Sequence, residues 1–321
     1  MRTMRALIVP SVAATVSAAT ALALLTSCGA APRTPSSGAA AVGSAHGSGL
    51  GGTALTATQA AASPSGAPSP SRSGGATPAG TGSAGTAPAH FATLPPSATL
   101  PSDAQCAAWV RAKPIKENKG VNATPNHQTG QHIDGSLFSG DSSKAASTIA
   151  PRVDGNFTGT TQEILRWVAC KWGIDENIVF AQAAVESWWR QDTLGDWDSD
   201  ASACPPGHGL GADGKAGQCP QSYGILQDRW PYMKQGWPGF GRSTAMDADL
   251  AYGIWRTCFD GYETWLNSVD HGQQYQAGDA WGCVGRWFSG RWHTSASDSY
   301  VTKVKQYESE QIWKTPDFQQ P

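Results

Sequence analysis

The stretch Ala181-Gln-Ala-Ala-Val-Glu-Ser-Trp-Trp189 sets one carboxylate, Glu186, among apolar and aromatic residues. Asp175 reads as an N-cap, and Glu176 stands near the positive end of the helix that follows. Ile178, Val179, Gln182, Val185, Glu186 and Trp189 then recur at spacings of three and four, which puts the Glu186 side chain on or beside the apolar stripe. A carboxylate in such surroundings loses hydration, so its charged form is disfavoured and its pKa rises. A carboxyl that keeps its proton near neutral pH can serve as a general acid. Taken alone, the helix also allows a plainer reading, a boundary glutamate whose head reaches water.

Other residue types suit the binding of a neutral polar ligand. Gln227 offers both donor and acceptor groups. Trp188, Trp189, Tyr223, Trp287 and Tyr300 have flat faces that can stack, although a single aromatic is more often part of a core. Metal chemistry finds no complete ligand set. Asp196-x-Asp198-x-Asp200 begins like a calcium loop, but Ala201 and Gly207 occupy positions that need ligands. Cys204, His208 and Cys219 lack a fourth zinc ligand. There is no nucleophile elbow, phosphate loop or zinc-protease helix motif. No metal and no cofactor is expected.

Several elements must position these residues. Ser102-Asp-Ala-Gln105 has capping-box form and opens a short helix to about Lys113, stopped by Pro114. Residues 114–160 show no sustained period and read as an irregular arm on the surface. Thr160-Thr-Gln-Glu163 is a second capping box, followed by Ile164, Leu165, Val168 and Trp172, with Gly173 as C-cap. A polar loop runs from Trp189 to about Ser222. The periodicity of Leu250, Ile254, Cys258, Tyr262, Trp265 and Val269 predicts one long helix from about Met246 to Val269. Two more helices are predicted at about 280–289 and 298–312, capped by Asp279 and Ser297. No strand pattern competes, so the fold class is mainly α.

Composition divides the chain. All 14 Trp and all 25 Asp and Glu lie after residue 100. Residues 28–100 are mostly Ala, Gly, Ser, Thr and Pro, cannot bury a core, and read as a disordered linker. About 220 residues remain, enough for one domain. Residues 1–27 read as an export signal, with Arg2 and Arg5 before an apolar run from Ala6 to Leu25; an uncleaved membrane anchor is the alternative. Leu25-Thr-Ser-Cys28 resembles the bacterial lipobox, which implies lipidation of Cys28 and a protein held on the outer face of the cytoplasmic membrane by lipid alone. The net charge of −2, made two units more negative by loss of the two signal arginines, argues for neither nucleic acid nor an anionic membrane surface as partner.

The other six cysteines, an even number in an exported chain, imply three disulfides. Fifteen pairings are possible. Cys204 with Cys219 is the most local, Cys258 and Cys283 sit on consecutive predicted helices, and Cys106 with Cys170 remains.

Glu186-Ser187, Ser222-Tyr-Gly-Ile-Leu-Gln227, a long amphipathic helix, Trp287-Phe-Ser-Gly290 and Tyr300-Val-Thr-Lys-Val304 occur in that order. The order resembles the soluble lytic transglycosylase family, of goose-type lysozyme fold, over about residues 160–313. The resemblance implies a lysozyme-like helical domain over 160–318, preceded by the irregular arm over 101–159. It implies Glu186 as catalytic acid, with Ser187, Tyr223, Gly224, Gln227, Trp188, Trp287 and Tyr300 around a sugar cleft. The partner would be the glycan strands of peptidoglycan, and the protein a monomer. In that family one Glu protonates the glycosidic oxygen and then deprotonates the C6 hydroxyl, leaving a 1,6-anhydro end. Two departures stand out. Phe288 occupies a position where the family has Asn, and the segment between Glu186 and Gly224 is longer than usual. A lysozyme-type hydrolase, with one of Asp196, Asp198 and Asp200 positioning a water, is the alternative, and a non-catalytic wall-binding module is a second.

Overall fold

The structure, a computed structural model, describes residues 89–319. The expected export signal, Cys28 and most of the expected linker lie outside the described residues. The domain is mainly helical, with few strands. Its helices are α1 (Asp103–Arg111), α2 (Thr161–Trp172), α3 (Glu176–Ser187), the single turn α4 (Gly239–Arg242), α5 (Thr244–Phe259), α6 (Ala280–Ser289) and α7 (Ser295–Glu310). Three two-residue strands, β1 (Leu194–Gly195), β2 (Ser222–Tyr223) and β3 (Asp228–Arg229), form a small antiparallel sheet in that order. They are too short to leave a sequence period.

Local chemistry explains the helix ends. Ser102 with Gln105 and Thr160 with Glu163 form complete capping boxes, and Asp175 accepts from the Asn177 N–H. Gly173 closes α2 in the left-handed conformation. Asp279 caps α6. The last helix starts earlier than expected: Thr294 is its cap, and Ser297, the third residue of the helix, completes that capping box. The long helix expected from Met246 to Val269 stops at Phe259. Gly261 turns the chain at φ +83°, and Thr264–Ser268 forms a separate 3₁₀ turn. The apolar periodicity past residue 259 is real, but it is carried across a break.

Helix α3 is buried on every side from Ile178 to Ala184, so it is the central helix rather than an amphipathic one. It packs between α2 and α7, while α5 lies against α2 and α6. The arm is a run of short 3₁₀ and π turns. It is fastened at the Cys106–Cys170 disulfide and at the fully buried Lys171, whose ammonium bonds Asp103 (3.0 Å), Asp154 (3.0 Å) and Asp249 (2.9 Å). Cys204–Cys219 and Cys258–Cys283 are the other two bridges. The pairing through Cys106 closes the longest loop, 64 residues apart in sequence. Replacing both its cysteines by Ala should cost about 2–5 kcal/mol, read as a lower midpoint in chemical denaturation.

The linker ends earlier than residue 100. Phe91 is buried, Leu94 N–H bonds the Gly173 carbonyl, and the buried Arg256 guanidinium reaches the carbonyls of Leu94 (3.3 Å) and Pro95 (2.7 Å). A buried guanidinium needs acceptors, and the backbone of residues 94–95 supplies two of them, beside the Asp260 carboxylate at 2.8 Å and Trp172 O.

Candidate active site

Glu186 is the penultimate residue of α3, where the burial of the helix relaxes. The helix stops because Trp188 and Trp189 both take left-handed backbone angles, φ 59° and 61°. Two consecutive bulky residues in that region are strained, so the surroundings must hold them. They do: the Trp189 indole donates to Phe180 O (2.9 Å), and the arm residue Asn122 bonds both Trp189 O (2.7 Å) and Gln191 N–H (2.8 Å). The helix end carrying Glu186 is thereby fixed from two directions.

The carboxyl is part-buried and accepts a hydrogen bond from the Tyr300 hydroxyl of α7. The Trp287 indole of α6 donates to Leu226 O (3.2 Å) and also toward Glu186. Burial raises the Glu186 pKa to about 7. The Tyr300 and Trp287 bonds pull it down, and the negative charge of Asp196 pushes it up. Tyr252 of α5 reaches Gln182 Oε1 (3.2 Å), one turn before Glu186, and extends the polar string along the helix. Tyr300→Phe deletes a donor that favours the ionised form. The Glu186 midpoint should therefore move above about 7, checked by carbon-13 NMR titration of the side-chain carboxyl.

The residues singled out from the sequence divide into two groups. Glu186, Trp287 and Tyr300 come together. Phe288, 51% exposed, stacks on the Tyr300 ring (centroids 4.7 Å apart, planes at 5°) and offers its outer face to solvent. The others support the site from behind. Ser187 Oγ donates to Ile225 O (2.8 Å), tying the end of α3 to the Gly224–Gln227 turn. The Gln227 amide donates to Thr193 O (3.1 Å) and Gly224 O (2.8 Å), so its donor ties that turn to the chain before β1. Tyr223 is buried, bonds Pro220 O and packs on Trp237 and Phe240, which removes it as a stacking face. Trp188 packs on Tyr307 and Phe318, and Trp189 is fully buried, so both serve the core. Gly224 is a backbone position: φ is +80°, and an added Cβ would collide with Asp247 and Gln191.

Among the three loop aspartates, only Asp196 acts on Glu186. It accepts from Ser222 Oγ (2.5 Å), faces Arg229 at 3.6 Å, and its side chain is 46% exposed. Asp198 bonds Gln221, and Asp200 caps the Ala201–Ala203 turn. The Cys204–Cys219 loop leans on Tyr223 and Trp237 through His208, and it borders an open pocket lined by Trp237, Pro238 and Arg242. No group of three or more His, Cys, Asp or Glu suited to a metal ion occurs among the described residues.

Sequence reasoning missed Asp228 and Asp247, both fully buried close to Glu186. One signal was present. Asp247 falls in phase with Leu250 and Ile254, and the structure buries every residue of α5. Comparison of the chain with protein-family models, with curated proteins and with solved structures finds no match.

Proposed function

We propose that this domain cleaves the β-1,4 bond between N-acetylmuramic acid and N-acetylglucosamine in peptidoglycan, with Glu186 as the single acid and base. The observation that carries the reading is the Glu186 carboxyl, held near pKa 7 by burial yet still open to solvent, with its free orientation restricted by the Tyr300 hydroxyl. Near neutral pH such a group gives up a proton and takes one back with little driving force lost in either direction. In the first half of the reaction Glu186 donates its proton to the glycosidic oxygen, and the bond to C1 of the muramic acid breaks. The acetamido oxygen of the same sugar supports C1 as positive charge develops there. In the second half the Glu186 carboxylate takes the proton of the C6 hydroxyl, whose oxygen closes on C1. The product is a 1,6-anhydro end and the acid is restored. The exposed face of Phe288 supplies an apolar surface for a sugar ring beside the acid.

One observation favours a second reading. Asp196, with a side chain 46% exposed, adds a negative charge that raises the Glu186 pKa, and a two-carboxylate hydrolase needs a second acid of this kind to orient a water. That enzyme would be a lysozyme-type hydrolase. A lysozyme-like fold, export and a lipid tether at Cys28 belong to the same proposal, since a wall-cutting enzyme must face the wall.

Incubating the protein with purified cell walls tests these readings. Falling turbidity with 1,6-anhydro products supports the lyase, and reducing ends in their place support the hydrolase. Co-sedimentation without clearing leaves a binding module and ends both.

A further inference from the structure

The Cys204–Cys219 loop and the segment from Trp237 to Arg242 border an open pocket of about 420 Å³. Both walls are fastened. The disulfide closes the loop, Asp198 and Cys219 exchange two backbone hydrogen bonds of 2.9 Å, and Gly211 N–H bonds Gln218 O at 2.8 Å. On the other side the Gln131 amide of the arm donates to Gln235 O (3.3 Å) and Trp237 O (3.2 Å). The Trp237 ring lies against Gly241, where an added Cβ would stand 2.9 Å from Cζ3. Tyr223 packs on His208 (5.3 Å) and on Trp237 (4.9 Å), and it directly precedes the Gly224–Gln227 turn that Ser187 ties to the end of α3. The pocket is thus built onto the far side of the turn that supports Glu186.

The lining has a definite chemistry. His208 Nδ1 lies 2.9 and 3.0 Å from the two Asp213 oxygens, so this nitrogen carries a proton and donates it. The imidazole edge packs on Tyr223 at 71° and on Trp237 at 78°, which fixes the ring plane. Nε2 is left without a partner among the described residues. Arg242, the last residue of α4, is exposed, and its guanidinium has no hydrogen bond, ion pair or ring contact among the described residues. No carboxylate lines the pocket, and the Asp213 charge is engaged by His208, so the Arg242 charge stands uncompensated there. Its planar fork matches a carboxylate. Trp237 and Pro238 add apolar wall. The lining also holds no hydroxyl or thiol, so the His208–Asp213 pair has no nucleophile to activate, and the chemistry is that of binding.

We propose that this pocket binds the C-terminal carboxylate of a peptide branch of the wall, with Arg242 pairing the carboxylate and the Trp237 and Pro238 walls taking the small aliphatic side chain next to it. The carboxylate chemistry rests on the pocket alone; its assignment to a wall peptide rests on the proposed function. The segment by which this chain is longer than the family it resembles then has a task. It grips the branch of the substrate while the cleft grips the sugar, so strands that carry free peptide ends are preferred over bare glycan.

The full chain is titrated with N-acetyl-D-alanyl-D-alanine, with its C-terminal amide and with sodium acetate. Binding is read from the indole N–H signal of Trp237 by NMR, assigned by its loss in Trp237→Phe. The acid should shift that signal saturably. The amide should bind at least about tenfold more weakly, because the charge-assisted pair with Arg242 is lost. Arg242→Gln changes an exposed side chain and should leave the melting temperature unchanged. It should lower affinity for the acid to that for the amide and leave the amide unaffected, a comparison that isolates the charge pair. Equal binding of acid and amide by the wild type, undiminished acid binding by Arg242→Gln, or an unmoved Trp237 signal overturns the proposal. Acetate binding as tightly as the peptide overturns the assignment to a peptide. On intact walls Arg242→Gln should raise KM and spare kcat, with no effect on strands stripped of peptide; an equal effect on both substrates also overturns that assignment. A protein that fails to clear walls yet tells acid from amide refutes the proposed reaction and leaves the carboxylate site standing. One that clears walls without binding the acid does the reverse.

Discussion

Glu186→Gln should lower the rate of wall clearing by at least about 10²–10⁴-fold and, in the same protein, raise stability at pH 8. The rate loss follows from removing the only proton carrier in both halves of the proposed reaction; general acid catalysis alone accounts for that range. The gain in stability follows from linkage. Glu186 titrates at about 7 in the folded domain against a reference of 4.5. Between those values the folded state binds more protons than the unfolded one, so the stability this group contributes is complete below about pH 4.5 and is lost as pH rises through 7. The neutral amide of Gln escapes that loss. With allowance for the partial exposure of the site, the gain at pH 8 is about 1–3 kcal/mol. Glu263, buried and raised to about 7 beside Arg286, gives a second loss over the same interval in both proteins, so the difference between them isolates Glu186. Wall-clearing rate and denaturant midpoints at pH 5 and pH 8 check both halves. A folded variant with near-normal rate would end the proposed mechanism. Asp196→Asn decides between the two enzymatic readings: it should change the rate by less than about tenfold for the lyase, and by as much as Glu186→Gln for a two-carboxylate hydrolase.

Gly224→Ala should be among the most damaging small substitutions in the domain, costing about 2–6 kcal/mol. Two independent effects combine. The backbone at residue 224 sits at φ +80°, which an L side chain enters only with strain, about 1–3 kcal/mol. The new methyl would also drive into the Asp247 carboxyl and the Gln191 amide, well inside van der Waals contact, and overpacking of this kind costs about 1–3 kcal/mol. Gly214→Ala is the control. It has a similar φ of +87° but nothing within 4 Å of the added atom, so only the strain remains. Equal midpoints for the two variants would show that the Asp247–Gln191 contact yields without cost. Because Gly224 N–H bonds Thr193 O and Ile225 N–H bonds Gln191 Oε1, a displaced turn also releases Ser187 and the end of α3. Activity should fall with stability here, unlike in Glu186→Gln.

What could be read from the sequence alone shares one property: it is settled within a few residues along the chain. The capping boxes at Ser102 and Thr160, the Asp175 cap and the Gly173 C-cap each join groups within one helical turn. The three-and-four spacing around Glu186 was enough to place its carboxylate among apolar groups and to expect a raised pKa, because helical geometry alone sets which residues share a face. Six cysteines were enough to expect three bridges, and the most local pairings are the ones formed. The break after Phe259 was hidden because residues on either side of a turn can bury apolar groups at helical intervals without belonging to one helix. The roles of Ser187, Tyr223 and Gln227 depended on which carbonyls would come within reach, Ile225 O, Pro220 O and Thr193 O respectively, and tertiary approach decides that. The hydroxyl that holds Glu186 lies 114 residues away, and the negative charge that pushes its pKa up belongs to Asp196, in the loop after β1. Residue type and local spacing determined that an acid with a raised pKa would stand at the end of a buried helix. The charges and donors that set its working pKa were decided only by the folded chain, because electrostatic interaction depends on distance through space and on burial.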